Sequence, residues 1–366
     1  MMNFFKLSLT FLIVIINCSV FAATTLEEKI GQMMMVGFQG MSVDENHFII
    51  QDIKKRNLGG VILFDYDVVS AKRYRNIESP SQVKALIKSL QKASDSTLLI
   101  AVDQEGGLIA RLKEMYGFPK TRSHMELGGH DDLQLTFNET VKLAKTLADA
   151  GFNLNMAPVV DLCVNLDNPI IAKKERCFSD DPEKVTAQAG SYIDALHSQN
   201  ILSTLKHFPG HGSSKGDSHL GLTDVTKTWT EKELIPYKNL ISEGKADVIM
   251  TAHVFNSQID PQYPATLSKE AIEGILRQRL GFDGVVVSDD MQMGAIVNQY
   301  GFETAIQKAV EAGVDILVFG NNLHYDEKIV PRVISIIKKM VQDGTITEKR
   351  IETSYQRIIN LKYRLK

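Results

Sequence analysis

Three of the nine histidines in this chain lie in one stretch of fourteen residues, KHFPGHGSSKGDSH, from Lys206 to His219. The stretch ends in Asp217-Ser218-His219, and in an extended loop the side chains of residues i and i+2 lie on the same side. The carboxylate of Asp217 can then hold the imidazole of His219, fix its tautomer and favour its protonated form. Such a pair suits a reaction that needs a proton donor first and a proton acceptor later. For an isolated Asp-X-His, a polar histidine in a surface loop is the alternative.

A second candidate for chemistry is the pair Asp289-Asp290, which ends the apolar run GVVVSDD. A carboxylate at the end of a buried strand can act as a nucleophile or stabilise a cationic centre. We favour Asp289 for this role. Either aspartate could instead cap a helix that begins near Met291.

The elements that must position these residues alternate between β and α patterns. Most of the apolar runs are continuous rather than alternating, as expected for parallel strands that are buried on both faces. Helical patterns lie between them, for example SPSQVKALIKSLQKAS, in which Ser79 is the candidate N-cap and Pro80 the first helical residue. A last amphipathic pattern, ITEKRIETSYQRIINLKYRL, predicts a closing C-terminal helix. The eight apolar runs are 33–38, 59–64, 98–103, 152–161, 201–208, 246–254, 284–290 and 315–321.

Eight β/α units predict an α/β fold, a (β/α)8 TIM barrel that forms a single domain over residues 23–366. An open, doubly wound sheet is the alternative. A barrel places its chemistry at the carboxyl ends of the strands. Polar residues end five of the predicted strands, and we expect them to converge on one pocket. They are Asp103, Asp161, Lys206 with His207, His253, and Asp289 with Asp290.

Metal binding is the rival explanation for the three histidines. Zinc hydrolases built on barrels usually carry paired histidines at the end of the first strand, and MMMVGFQGM contains none. No HExxH motif and no Cys/His ligand spacing occur either. We therefore expect neither a metal nor another cofactor.

Residues 1–22 differ in composition from the remainder of the 366-residue chain. A short basic segment, the apolar run LSLTFLIVII and a small-residue segment predict a secretory signal that is cleaved after Ala22. The apolar run is too short to span a bilayer. Lipidation at Cys18 is the alternative, although Asn17 before it is unfavourable. The protein is therefore expected to be exported, and to be periplasmic or secreted.

The composition of the expected mature chain indicates a globular protein with a small negative net charge, close to −4 without Lys6. This charge predicts no binding to nucleic acid and no attraction to an anionic membrane surface. We expect a monomer whose partner is its small substrate. Cys163 and Cys177 are the cysteines that remain, and they can pair in an oxidising compartment or stay as two thiols.

The stretch KHFPGHGSSKGDSHLGL resembles the signature loop of the β-N-acetylhexosaminidase branch of glycoside hydrolase family 3. The β-glucosidase branch of that family typically lacks this loop. The resemblance runs through most of the mature chain, and further blocks follow in the order of the family. These blocks are AVDQEGG (101–107), GFNLNMAPVVDL (151–162), RCFSDDP (176–182) and GFDGVVVSDDMQMGAI (281–296).

The resemblance implies a retaining exo-glycosidase that removes terminal β-linked N-acetylglucosamine. Asp289 matches the family's nucleophile, His219 its general acid/base and Asp217 the partner that orients the histidine. Four further residues match groups that hydrogen-bond the sugar. They are Asp103, Arg176, Lys206 and His207.

The sequence departs from the family pattern in several places. Leu108 follows DQEGG where an arginine is usual, and Thr223 replaces a common proline. Cys177 stands in place of the serine of the usual RSF pattern. The segment 65–77 is longer than the usual connection after the second strand. These differences leave the catalytic residues in place, and they leave the preference for the aglycone open.

The substrate and the reaction class also remain open at this stage. Peptidoglycan fragments and chitooligosaccharides both carry terminal N-acetylglucosamine. Relatives with a histidine acid/base can use phosphate, since a neutral imidazole repels an anion less than a carboxylate does. The chain could also hydrolyse its substrate with the help of the substrate's acetamido group, or it could be a sugar-binding barrel without catalytic activity.

Overall fold

The computed structural model describes residues 24–216, 221 and 223–365. The predicted signal segment and the residues Asp217 and His219 lie outside this part of the chain. The described strands are β1 (Met34–Val36), β2 (Gly60–Ile62), β3 (Tyr66–Asp67), β4 (Lys72–Arg73), β5 (Leu99–Val102), β6 (Leu154–Asn155), β7 (Thr204–Phe208), β8 (Thr223–Asp224), β9 (Val248–Thr251), β10 (Val254–Phe255), β11 (Val285–Ser288) and β12 (Leu317–Phe319).

Each of the eight apolar runs contains one parallel strand, as predicted, although the strands are shorter than the runs. Five of these strands form a sheet in the order β12-β1-β2-β5-β6, and three form a second sheet in the order β11-β9-β7. Apart from these sheets, β3 pairs with β4 in an antiparallel hairpin, and β8 pairs with β10.

The two larger sheets adjoin each other through isolated bridges. Leu154 pairs with Leu202 where β6 meets the β7 segment, and Val287 pairs with Ile316 where β11 meets the β12 segment. The strands follow one another in chain order, and β1 pairs with both β2 and β12. A doubly wound sheet would require a reversal of strand order. The arrangement is an α/β fold of the TIM-barrel-like kind, with a hydrogen-bonded ladder that is interrupted at two places.

Helices lie between the parallel strands. They are α1 (Leu26–Gln32), α2 (Phe48–Arg56), α3 (Pro80–Lys92), α4 (His124–His130), α5 (Leu133–Ala150), α6 (Pro182–His197), α7 (Ile235–Ser242), α8 (Gly294–Tyr300), α9 (Phe302–Ala312), α10 (Ile329–Gln342) and α11 (Glu348–Tyr363), together with a π-helix over Glu270–Arg279. None of the helices in the described part of the chain has both the length and the apolar character that crossing a bilayer requires.

The predicted start of α3 is confirmed. Ser79 is the N-cap and accepts a hydrogen bond from the backbone N–H of Gln82, while Pro80 is the first helical residue. The buried side of the helix carries Val83, Leu86, Ile87 and Leu90. Because proline has no N–H to lose at this position, the sequence determines where the helix starts.

The C-terminal helix α11 closes the fold, as its amphipathic pattern predicted. Its apolar face, including Ile351 and Ile358, is buried in the main core. Near its end the Nζ of the buried Lys362 donates a hydrogen bond of 2.7 Å to the side chain of Gln32 in α1. The last helix is therefore joined to the first by packing and by a buried polar contact.

Candidate active site

A cavity of about 300 Å³ lies at the carboxyl ends of the parallel strands. Asp103 follows β5, Lys206 and His207 belong to β7, and Asp289 follows β11. These four residues line the cavity together with Arg176, which comes from the segment before α6. Five of the seven predicted site residues therefore converge, as expected for strand ends that meet on one face.

Glu105 is the centre of the charged network in this cavity, and its side chain is only 1% exposed. Its carboxylate accepts two hydrogen bonds from Arg176, both of 2.8 Å, and lies 2.7 Å from Lys206 Nζ. Burial alone would raise the pKa of Glu105, but the charges of Arg176 and Lys206 outweigh it and hold the pKa far below its usual range. The carboxylate therefore stays ionised and fixes both cations.

Asp103 lies between two cations at the cavity wall. Its Oδ1 accepts a hydrogen bond of 2.8 Å from Lys206, and its Oδ2 lies 3.5 Å from Arg111 Nη2. Burial opposes ionisation of Asp103, but Lys206 and Arg111 lower its pKa below the usual value. A partly exposed carboxylate of this kind can accept hydrogen bonds from the hydroxyl groups of a sugar.

His207 is bound by protein groups at both ring nitrogens. Its Nδ1 lies 2.6 Å from Asp161 Oδ2, and its Nε2 lies 3.1 Å from Arg176 Nη2. Because Arg176 can only donate, Nε2 must accept, and Nδ1 therefore carries the proton that goes to Asp161. His207 lines the cavity, but these contacts make it a residue that orients Arg176.

Asp289 follows the last residue of β11, and its backbone N–H donates to the carbonyl of Thr251, at the end of β9. Its Oδ1 accepts a hydrogen bond of 2.8 Å from the backbone N–H of Asp290. The side chain is thus held at the junction of two neighbouring strands, facing the cavity. This is the position predicted for a nucleophile.

Asp290 also lines the cavity, but its Oδ1 accepts hydrogen bonds from backbone groups. These come from Gln292 at 3.0 Å and from Gly320 at 3.1 Å. A Cβ at position 320 would lie 2.5 Å from Asp290 Oδ2, so the close approach requires glycine there. Asp290 therefore holds the turn after β11 against the end of β12. The expected helix near Met291 is absent from this described segment, since α8 begins only at Gly294 and its N-cap, Met293, makes no side-chain capping hydrogen bond, so the capping interpretation is wrong.

The described part of the glycine-rich loop, up to Gly216, is packed tightly against its surroundings. Trp229 Nε1 donates to the carbonyl of Pro209, and the N–H of Gly212 donates to Glu233 Oε2. Gly210 has a φ of +127°, and a Cβ there would lie 2.4 Å from Glu233 Oε2. Gly210 and Gly212 therefore allow the loop to lie close to other segments of the same protein.

Glu233 is almost fully buried beneath this loop, at 2% exposure. Burial, supported by the nearby charge of Asp161, raises the pKa of Glu233 to about 8. Burial also lowers the pKa of His211, in the same loop, to about 4. His211 is a cavity residue whose Nδ1 lies 2.8 Å from the hydroxyl of Ser214.

Glu105 and Arg111 are the main site residues that sequence reasoning missed. Glu105 lies in the AVDQEGG block, and the available signal was its acidic type two residues after Asp103, just beyond the end of a predicted strand. Leu108 stands where an arginine was expected, and it is 59% exposed. Arg111 supplies a guanidinium to the cavity three residues later.

Cys163 and Cys177 form a disulfide with a Cα–Cα distance of 5.5 Å. This bond ties the segment before α6, which carries Arg176, to the segment that follows β6. Among the described residues, no group of three or more His, Cys, Asp or Glu side chains is arranged to hold a metal ion.

The chain is similar to known proteins over most of its length. The family model described as the glycosyl hydrolase family 3 N-terminal domain matches residues 25–361. The β-hexosaminidase of Tolumonas auensis is 35% identical over 292 residues, which cover 79% of this chain and 83% of that protein. The β-hexosaminidase of Xylella fastidiosa is 36% identical over 295 residues, which cover 78% of this chain and 82% of that protein.

Solved structures of similar proteins extend the match to the fold. A glycoside hydrolase family 3 β-N-acetylglucosaminidase from Paenibacillus sp. superposes with a TM-score of 0.85 at 34% identity, covering 94% of this chain but only 63% of that protein. The β-N-acetylhexosaminidase of Beutenbergia cavernae superposes with a TM-score of 0.83 at 26% identity, covering 93% of this chain and 99% of that protein. Together with the family match over nearly the whole described chain, these similarities show that the protein belongs to glycosyl hydrolase family 3 and is a glycoside hydrolase.

Proposed function

We propose that the protein is a retaining exo-β-N-acetylglucosaminidase. The single observation that carries the proposal is the shared cavity. The Asp289 carboxylate lines this cavity together with the polar network of Asp103, Lys206 and Arg176, which supports a shared role. The similarity to proteins named β-hexosaminidase and β-N-acetylglucosaminidase supports the choice of sugar.

In the first proposed step, the Asp289 carboxylate attacks the anomeric carbon of the terminal sugar, and the bond from that carbon to the leaving oxygen breaks. Protonated His219 gives its proton to this oxygen, and Asp217 stabilises the cationic imidazole. The product is an ester between Asp289 and the sugar. In the second step, neutral His219 takes a proton from water, whose oxygen attacks the anomeric carbon and releases Asp289. Two inversions give net retention of configuration.

The charged network is proposed to bind the sugar in this reaction. Arg176 and Lys206 donate to hydroxyl or acetamido oxygens, and Asp103 accepts from a hydroxyl. Glu105 keeps both cations in place before the substrate arrives, so little reorganisation is needed at the transition state. The contacts of Arg176 with Glu105 and of Lys206 with Asp103 support this division of roles.

We also propose a single (β/α)8 domain over residues 23–366 and an exported, monomeric enzyme. The isolated bridges between the two sheets support one continuous barrel wall. The disulfide supports export, because such bonds persist mainly in oxidising compartments. N-terminal sequencing of protein from the periplasm or the medium should begin at Ala23. Light scattering should give the mass of one chain.

The experiment that tests the function is the release of chromophore from an aryl β-N-acetylglucosaminide by the purified mature protein. We expect turnover with retention, and no dependence of the rate on phosphate. Formation of a sugar 1-phosphate would instead support a phosphorylase. Absence of turnover, with binding of N-acetylglucosamine intact, would support the non-catalytic barrel.

A further inference from the structure

The segment between the two bridged cysteines, residues 163–177, carries Arg176. The backbone N–H of Arg176 donates to the carbonyl of Ile171, and its Nη1 donates to the carbonyl of Ile170, both at 3.0 Å. The guanidinium that is proposed to bind the sugar is therefore held by the backbone of its own segment. The conformation of residues 170 and 171 thus contributes to where Arg176 lies.

Asn168 determines the local conformation of this segment, and it is 0% exposed. Its Oδ1 accepts hydrogen bonds from the backbone N–H groups of Ile170 at 3.0 Å and of Ile171 at 2.9 Å. An asparagine that bonds to the backbone a few residues further on fixes a turn. The acceptor side of the amide therefore shapes the backbone that holds Arg176.

The donor side of the same amide reaches across to the glycine-rich loop. Its Nδ2 lies 2.8 Å from the carbonyl of His211 and 3.1 Å from both the carbonyl of Gly212 and the hydroxyl oxygen of Ser214. The two N–H groups of the amide are thus shared among three acceptors that lie more than 40 positions further along the chain. One buried side chain therefore connects two segments of the site.

The loop residues that Asn168 contacts belong to the candidate active site. His211 lines the cavity, and its Nδ1 lies 2.8 Å from the hydroxyl of Ser214. The backbone N–H of His211 donates to Asp161 Oδ1 at 2.7 Å, so both sides of this residue's backbone are held. In the sequence, His219 follows Ser214 by five positions. Because each residue adds at most about 3.6 Å of reach, an anchor at Ser214 restricts the region that the proposed acid/base can occupy.

We propose that Asn168 is a positioning residue that joins the two halves of the site. Its oxygen fixes the backbone that holds Arg176, and its N–H groups fix the loop that leads to the proposed proton donor. This inference rests on the proposed exo-glycosidase function and deepens it. Loss of the N–H donors alone should loosen the loop, and proton transfer to the leaving group should then suffer more than sugar binding, because a small misplacement of a catalytic group has a large effect on rate.

The variant Asn168→Asp separates the two sides of the amide. One carboxylate oxygen can still accept from the N–H groups of Ile170 and Ile171. The other oxygen faces the carbonyls of His211 and Gly212, and an ionised carboxylate has no proton to donate to them. The variant therefore keeps the turn that holds the segment and removes the contact with the loop.

The matched control is Asn153→Asp, at the amino ends of the strands. Asn153 precedes β6, accepts a hydrogen bond from the N–H of Ile100 at 2.7 Å and donates one to the carbonyl of Leu98 at 2.8 Å. The control thus loses an equivalent amide donor on the opposite side of the fold from the cavity. A general loss of stability would affect both variants.

The first measurement is the dependence of kcat/KM on the leaving group. The 2,4-dinitrophenolate anion leaves without protonation, whereas phenolate requires a general acid. In Asn168→Asp, we expect kcat/KM to fall about tenfold or more for phenyl β-N-acetylglucosaminide and only about twofold for the 2,4-dinitrophenyl compound. Asn153→Asp should keep the wild-type ratio of the two values.

The second measurement examines the loop without a substrate. Lys215 follows Ser214 and is exposed, so tryptic cleavage after Lys215, mapped by mass spectrometry, reports how firmly the loop is held. We expect faster cleavage in Asn168→Asp than in the wild type or in Asn153→Asp. Ser214→Ala is a smaller change that removes one of the three acceptors. It should shift both measurements in the same direction, and it serves as the test if Asn168→Asp does not fold.

Failure of this inference can be distinguished from failure of the proposed function. If the wild type turns over neither aryl glycoside, the proposed function is wrong, and faster cleavage after Lys215 in Asn168→Asp would still support the anchoring contact. If the wild type is active but Asn168→Asp loses the same factor on both substrates, Asn168 affects only folding or sugar binding, and the inference is overturned. A changed ratio in Asn153→Asp as well would attribute the effect to general destabilisation and would also overturn it.

Discussion

Arg176 and Glu105 form a bidentate ion pair in which Nε contacts Oε2 and Nη2 contacts Oε1, both at 2.8 Å. The pair is almost sealed from solvent, with the side chains 12% and 1% exposed. Lys206 joins the same carboxylate at 2.7 Å. One buried anion therefore fixes two of the cations that are proposed to bind the sugar.

Replacing this anion should damage both stability and activity. In Glu105→Gln, Arg176 and Lys206 lose the charge that compensates their burial, and we expect a loss of about 3 kcal/mol in the free energy of unfolding. Urea unfolding and steady-state kinetics measure the two effects. Glu231→Gln is a matched control, because Glu231 forms the same bidentate contact with Arg279 on the surface. No measurable loss of stability or activity is expected for Glu231→Gln. Equal losses in both variants would contradict the role of Glu105 in holding Arg176 and Lys206.

Asp289→Asn should abolish turnover without unfolding the chain. Asparagine keeps an oxygen that can accept the N–H of Asp290, but it cannot form the ester, so kcat should fall by about a thousandfold or more. In the wild type, a fluorosugar should label Asp289, as peptide mapping by mass spectrometry would show. Asp290→Ala is the contrasting variant. It removes the turn contacts to Gln292 and Gly320, and it should destabilise the fold by about 1 kcal/mol while leaving measurable turnover. A label on Asp290 would reverse the assignment.

Glu233 should make the folded protein less stable as the pH rises. Its pKa is about 8 in the folded state, which lies above the ordinary value of 4.5, so the folded state holds this proton more tightly than the unfolded state. The stabilisation is complete below about pH 4.5 and is lost as the pH rises to about 8. Above about pH 8, Glu233 no longer changes the free energy of unfolding with pH.

The neutral variant Glu233→Gln should remove this dependence. We expect it to match the wild type near pH 5 and to be more stable than the wild type near pH 9, by a few kcal/mol at most. Unfolding in urea at several pH values measures the difference. The exposed replacement Glu303→Gln should leave the wild-type profile unchanged. If the free energy of unfolding changed with pH equally in the wild type and in Glu233→Gln, the prediction would be wrong. Glu233 would then be ionised at neutral pH in the folded protein.

Removal of the disulfide should weaken the fold near Arg176. The two cysteines are separated by 14 positions, and a loop of this size contributes about 3 kcal/mol in the chain-entropy model. The double variant Cys163→Ser with Cys177→Ser should therefore unfold at lower urea concentration and bind the sugar more weakly, because Arg176 is adjacent to Cys177. Intact mass measured before and after reduction reports the bond. Alkylation of both thiols in the unreduced native protein would contradict it.

Local patterns were sufficient to predict the parallel strands and the start of one helix. Continuous apolar runs identified every strand of the two parallel sheets, since burial on both faces leaves little room for polar residues. Ser79 and Pro80 identified the start of α3, because capping depends on a few adjacent residues. The polar residues at the ends of β5, β7 and β11 also predicted a common pocket, whereas Asp161 and His253 are not among the residues that line it. The sequence did not predict the π-helix over Glu270–Arg279, which follows a pattern indistinguishable from that of an α-helix.

What only the tertiary structure decided was which of these residues contact one another. Glu105 and Arg176 are 71 positions apart, and His207 and Asp161 are 46 apart. No local periodicity can pair such residues, because their distance depends on how neighbouring strands and their loops pack. The structure thus made Glu105 the anion that fixes two cations, made His207 a support for Arg176, and separated the structural Asp290 from Asp289. The sequence by itself determined which residue types reach the cavity, and packing across the strands decided which partner each of them has.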